Sequence, residues 1–306
     1  MPNLSPITMT FASEGGPLGH VVDHPIITTE GGTVLLSQHM IMLVFCTLVL
    51  FWVLVRSAKA IGTGSESEGN DRYITRGYLA QFVELIIVYL RDQMIRPVIG
   101  EKATKQYLPF LLTVFFFILM NNLMGLIPFA DVYHLFHIEK LFGGKTIFGG
   151  TATANLAVTG GLAFISMIMI QIHAFRELGI KGWSHHLLGG APWWLFPIMV
   201  PVELAGHIIK PAALAIRLLA NMVAGHTLLA TLLGFGLTAA HANMGVLGIS
   251  GISLASGLFA FAISFLELFV AVLQAFIFMF LTAVFIGLMS HHDDEHAEHA
   301  PEAVPA

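Results

Sequence analysis

From Leu195 to Met289 the chain is almost continuously apolar, interrupted only by a small-residue region around His241 to Gly257. A helix rises about 1.5 Å per residue and the hydrocarbon core of a bilayer is about 30 Å thick, so roughly 20 apolar residues suffice to cross it. The stretch therefore predicts two very long helices, about Leu195–Leu233 and about Ser253–Leu288, each beyond the crossing length and hence strongly tilted. Pro197, Pro201 and Pro211 allow kinks in the first of them. Composition agrees. Of 306 residues 56% are hydrophobic and 11% charged, with mean hydropathy +0.79, whereas a soluble domain carries about a quarter charged residues. A soluble enzyme is excluded, and the net charge of −5, drawn largely from the tail, gives no footprint for nucleic acid. The single cysteine, Cys46, rules out an intramolecular disulfide.

Charge patterning orders the remainder. The first 55 residues contain no Lys or Arg, so residues 1–37 lack the basic n-region of a signal peptide and read as a polar extension. Its His20-Val-Val-Asp-His24 is read as a surface loop rather than a metal site. Residues 38–56 form the first span, and eight Lys and Arg then fall between Arg56 and Lys105. The positive-inside rule makes residues 57–106 cytoplasmic and puts the N-terminus outside. Within them, residues 74–99 alternate a polar stripe (Arg76, Glu84, Arg91) with Leu79, Phe82, Val83, Ile86, Ile87 and Leu90, the pattern of a helix lying in the membrane interface.

Residues 107–174 read as a transmembrane hairpin, with spans Tyr107–Phe129 and Ala152–His173. The outer loop between them holds Asp131, His134, His137, Glu139, Lys140 and Lys145. Gly144-Lys145-Thr146 lacks the upstream glycine of a phosphate loop. Residues 175–194 form a cytoplasmic loop whose Trp183, Trp193 and Trp194 mark an interface belt. The tilted hairpin occupies 195–289 and a His- and acid-rich tail 290–306; the tail matches no zinc motif. The expected fold is thus an all-α integral membrane protein of about five membrane helices, including the long C-terminal hairpin, plus one interfacial amphipathic helix.

One residue stands against this apolar background. Arg217 is the last Lys or Arg of the chain and has apolar sequence on both sides. A guanidinium cannot shed its charge by deprotonating, and holding it at membrane depth costs roughly 3 kcal/mol or more. Such a residue faces a carboxylate or a water-filled cavity and marks a functional site. At about 100° per residue, Glu203, Lys210 and Asn221 fall within roughly 40° of Arg217, giving one polar seam. His226 comes nine residues on, near the opposite side and about 13 Å further along. On the last helix Glu267 and Gln274, seven apart, share a face. Several such groups on facing helices point to a wet path or a proton relay rather than a packed core.

The pattern is also specific. Pro211-Ala-Ala-Leu-Ala-Ile-Arg217-Leu-Leu-Ala-Asn221-Met-Val-Ala-Gly-His226 resembles the signature of subunit a of F-type ATP synthases. Leu273-Gln274-Ala-Phe-Ile-Phe-Met-Phe-Leu-Thr-Ala-Val-Phe285 is similar to the final helix of the same family, and Asn122-Leu-Met-Gly-Leu-Ile-Pro128 to its second span. The resemblance covers about residues 40–290 and carries nothing over to the extension or the tail. It implies a non-catalytic, proton-translocating stator subunit of a bacterial inner membrane, with two offset aqueous half-channels. Its implied partners are the rotating c-ring, b-type peripheral-stalk subunits, the rest of the synthase and the bilayer, with no cofactor, no metal and no nucleic acid.

Residue by residue, the resemblance makes Arg217 the stator arginine facing a ring carboxylate. It places Asn221 and Gln274 beside that arginine. His226 and Glu267 occupy two positions that some members fill in the opposite order, so the two side chains are expected to meet and to line the outer half-channel. Glu203 serves the cytoplasmic one. Asn122, His207 and Lys210 are further channel-lining candidates.

Two other readings fit the residues less well. A secondary transporter with a broken-helix site calls for paired Gly/Pro-interrupted segments in two halves, and none is evident. A haem-binding subunit would use His173, His185, His207 or His226 as paired axial ligands on facing spans, yet these lie near helix ends or alone.

Overall fold

The structure, a computed structural model, describes residues 25–28, 34–60, 75, 77–127, 152–187, 195–241 and 245–290. The His20–His24 segment, most of the loop before Tyr78, the outer loop with Asp131 to Lys145, Trp193 and Trp194, and the His-rich tail lie outside the described residues.

Two short strands, β1 (Pro25–Thr28) and β2 (Val34–Ser37), pair antiparallel ahead of an otherwise helical fold. Ser37 ends β2 and caps the first helix, its Oγ accepting from the Met40 N–H at 3.3 Å. The helices are α1 (Gln38–Ala60), α2 (Tyr78–Tyr89), α3 (Arg96–Gly125), α4 (Leu156–Leu187), α5 (Phe196–His241) and α6 (Val246–Ser290). Among the described residues five helical runs are long and apolar enough to cross a membrane: Gln38–Ala60, Tyr78–Gly125, Leu156–Gly179, Ile208–Leu232 and Leu247–Met289. The all-α membrane class read from the sequence is the class observed.

The boundaries differ from expectation in instructive ways. α2 begins at Tyr78 rather than Ile74, because Gly77 takes φ 107°, outside the helical region. It passes through a π-helical turn, Leu90–Ile95, into α3. The 48-residue run from Tyr78 to Gly125 would be about 70 Å long if straight. Gly100, at φ 76° and ψ 171°, breaks it just ahead of the polar stretch Glu101-Lys-Ala-Thr-Lys-Gln106. Charges cluster around that break. Arg91 donates twice to Asp92, each at 2.8 Å, and Glu101 pairs with both Arg96 and Lys105. All are partly or largely exposed.

α4 runs on to Leu187, so much of the expected loop 175–194 is helical, with its break at Gly179 (φ 64°). α5 and α6 reach His241 and Val246, leaving a short connection where a longer interruption was expected. Glycine costs about 1 kcal/mol in a helix interior, a penalty that the long apolar runs on either side outweigh. Pro201 and Pro211 sit within the single helical run of α5.

The chain divides into two compact units. The first takes residues up to Phe45, Asn121–Asn155 and Leu218–Val272, with Met42, Leu218, Met222 and Ala271 among its buried residues. The second takes Cys46–Met120, Leu156–Arg217 and residues from Leu273 onward. In the second unit α6 buries Ala275, Met279 and Ala283 at four-residue spacing, beside Gln274, Phe278, Thr282 and Ile286 one position away. Small residues four apart, such as Ala283 and Gly287, let membrane helices approach closely. Gly287 continues the first row, and a Cβ there would lie 2.6 Å from the Val98 carbonyl oxygen.

Candidate functional site

In the first unit the structure brings His226 and Glu267 together. Nδ1 of His226 lies 3.5 Å from Oε1 of Glu267, with the two side chains 18% and 4% exposed. Apart from that approach, neither Glu267 oxygen has a hydrogen-bond partner among the described residues. A buried carboxylate without hydrogen bonds is costly, so the imidazole is the group on which this one depends. Its neighbour in sequence makes the room. A Cβ on Gly225 would fall 2.6 Å from Glu267 Oε1 and 2.9 Å from its Cδ. Gly225→Ala is therefore expected to force the carboxylate aside at a cost of about 1–3 kcal/mol, read as a lower thermal-unfolding midpoint in detergent. An unchanged midpoint would mean that Glu267 swings away freely.

Asn122 also lies in this unit and is fully buried. Its Nδ2 donates to the Ala271 carbonyl at 3.2 Å and its Oδ1 accepts from Thr153 Oγ1 at 2.9 Å. The side chain thus ties the end of α3 to the start of the next span and to the backbone of α6 one turn past Glu267. Asn221 is half-buried.

In the second unit Arg217 is exposed on the surface of α5 and makes no hydrogen bond or ion pair among the described residues. Its helix neighbours in that unit, Leu214 and Ala215, are buried at 4% each, so the chain holds one side of this turn and presents the other. Gln274 is buried at 2%. Lys210 is exposed, its Nζ 5.4 Å from the centroid of the Phe285 ring. The side chains of Glu203 and His207 lie outside the described residues, although both backbone positions belong to α5.

His173, which the sequence places near a helix end or alone, has a partner that sequence patterns pass over. His173 is completely buried, with Nδ1 2.9 Å from the Tyr107 hydroxyl and the two rings edge-on at 4.8 Å. Gly225 and Thr153 were passed over too. A glycine whose value lies in the absence of a side chain, and a threonine whose partner is 31 positions away, leave no local trace in sequence.

The family model described as "ATP synthase A chain" matches residues 36–287. The ATP synthase subunit a of Myxococcus xanthus is 40% identical over 240 residues, covering 78% of this chain and 70% of that protein. ATP synthase subunit a 2 of Chlorobaculum tepidum is 36% identical over 294 residues, covering 96% of this chain and 73% of its own length. The subunit a of Chloroherpeton thalassium is 34% identical over 288 residues. With five membrane-length helices among the described residues and a family match over residues 36–287, the chain belongs to the ATP synthase A chain family.

Proposed function

We propose that this chain is the stator subunit that carries protons to and from a rotating c-ring through two offset half-channels, with Arg217 facing the ring carboxylates. The observation that carries the reading is the placement of Arg217: a permanent cation in the apolar run Ile208–Leu232, exposed and with no ion pair among the described residues. Such a charge calls for an anion supplied by another chain.

The chemistry follows from charge and burial. An opposite charge within about 4–6 Å lowers a carboxylate's pKa by about one to three units. A ring carboxylate abreast of Arg217 therefore stays ionised and gives its proton to one channel. It takes another from the second channel before entering lipid, where an ionised group is prohibitively costly. The guanidinium passes on no proton itself, so it separates the channels as well as setting the charge. Each charge crossing gains about 2.3 kcal/mol per 100 mV, which becomes rotation.

In this reading His226 and Glu267 line the outer half-channel, where an imidazole beside a carboxylate relays protons. Glu203 lines the cytoplasmic one, and Asn221 and Gln274 border the arginine. Further candidates for lining the channels are His207, Asn122 (held by Ala271 and Thr153) and Lys210 (beside the Phe285 ring). The subunit is non-catalytic and sits in a bacterial inner membrane with its N-terminus outside. The helix from Tyr78 to Ile99 lies along the cytoplasmic interface, and b-type stalk subunits hold the subunit static.

Thiol accessibility tests the two channels. In a Cys46→Ser background, Glu203→Cys is expected to react with a membrane-impermeant thiol reagent from the cytoplasmic face only, and Glu267→Cys from the outer face only. Reaction of both from one face would refute the offset arrangement.

A further inference from the structure

Within the second unit an apolar groove runs between α4, α5 and α6, floored by Met167, Ile170, Leu288 and Met289 and closed by Pro211 and Phe285. Two polar groups stand at its edge. Lys210 holds its ammonium 5.4 Å from the Phe285 ring centroid and has no ion pair among the described residues. Gln171 accepts from the Trp183 indole N–H through Oε1 at 3.2 Å, which fixes the amide and leaves its NH2 as a donor. Trp183 is held in turn against Phe175, with ring centroids 4.9 Å apart. The break at Gly179 brings the indole back over the preceding turns of α4.

The groove sits at one end of its spans. Lys210 is the third residue of the run Ile208–Leu232, and Leu288 and Met289 close the run Leu247–Met289. Tryptophan concentrates at the level of the headgroups, and a lysine near a helix end reaches for that level. A hydrocarbon-lined slot with a cation and an amide in its lining, and an indole bonded to that amide, matches a lipid in cross-section: acyl chain below, phosphodiester above. Basic pockets between membrane helices recognise anionic headgroups in this way.

We propose that this groove binds one anionic phospholipid, its phosphodiester between Lys210 and Gln171 and an acyl chain along Met167, Ile170 and Leu288. The occupant is a lipid rather than a free anion, because the lining beyond the two polar groups is hydrocarbon. Its lining includes neither Arg217 nor the His226–Glu267 pair.

The test uses the purified synthase complex in neutral detergent, with photoactivatable phosphatidylglycerol and phosphatidylcholine compared by peptide mapping. Phosphatidylglycerol is expected to label the peptides around Lys210 and Phe285 about fivefold more than phosphatidylcholine, the ratio expected from about 1 kcal/mol per basic residue. Lys210→Gln should bring the two probes to parity, and Lys210→Arg should keep the preference. Should Lys210→Gln fail to assemble, competition on the native complex decides: excess unlabelled phosphatidylglycerol displaces the probe and phosphatidylcholine does not. Equal labelling by both lipids, a preference unchanged in Lys210→Gln, or displacement by inorganic phosphate alone would each overturn the proposal.

Discussion

Arg217→Ala is expected to lower proton-driven ATP synthesis by about 10- to 1000-fold in vesicles that still contain the assembled complex. The range follows from the shift of about one to three pKa units that a neighbouring cation imposes on a carboxylate. Without it a ring carboxylate keeps its proton as it passes the stator, and the cycle loses the step that gives rotation its direction. ATP-driven pumping should fall in parallel, because the same carboxylate must discharge in reverse. Arg217→Lys should recover little. An ammonium can deprotonate in a low-dielectric site and lacks the planar fork that engages a carboxylate along two bonds. Coupled pumping retained by Arg217→Ala, with normal subunit content, would contradict the assignment.

The second large effect concerns His226 and Glu267. With Nδ1 and Oε1 3.5 Å apart and the carboxylate otherwise without hydrogen bonds among the described residues, Glu267 depends on the imidazole. Removing His226 leaves a buried carboxylate uncompensated, which costs about 3–5 kcal/mol when the pair is charged. His226→Glu and Glu267→His, made singly, should each impair synthesis severely. Made together they should retain roughly 2- to 150-fold more activity than the product of the single losses, equivalent to a coupling of about 0.5–3 kcal/mol. Purely additive losses would mean that the contact does not matter for proton flow. Gly225 is the structural condition for this exchange, since any side chain there would occupy the space of the carboxylate.

The features legible in sequence are those written in long-range composition or in spacing along one helix. The apolar runs define the spans because a bilayer sets their length, whereas on α2 Ala80 and Val83 are buried but Leu79 and Phe82, read as part of the same apolar face, are exposed. The apposition of His226 with Glu267 was expected from the exchanged residue types of the family, not from spacing, since 41 positions separate them. Less legible was whatever depends on a single backbone angle or on a partner far along the chain. The breaks at Gly100 and Gly179 each rest on one positive φ, which a glycine permits but does not announce. The Asn122 tie and the Tyr107–His173 pair join spans whose packing no local pattern encodes. Where helices ended was harder still, because apolar residues past the expected ends of α5 and α6 carry on the same backbone hydrogen bonding at no extra cost in lipid.

The most direct measurement is a density map of the intact complex resolving the side chain at 217. The account predicts the Arg217 guanidinium within about 4–6 Å of a carboxylate on the rotating ring, with an aqueous vestibule on either side. A guanidinium lying among acyl chains, or locked in an ion pair with a carboxylate of its own chain, would contradict it.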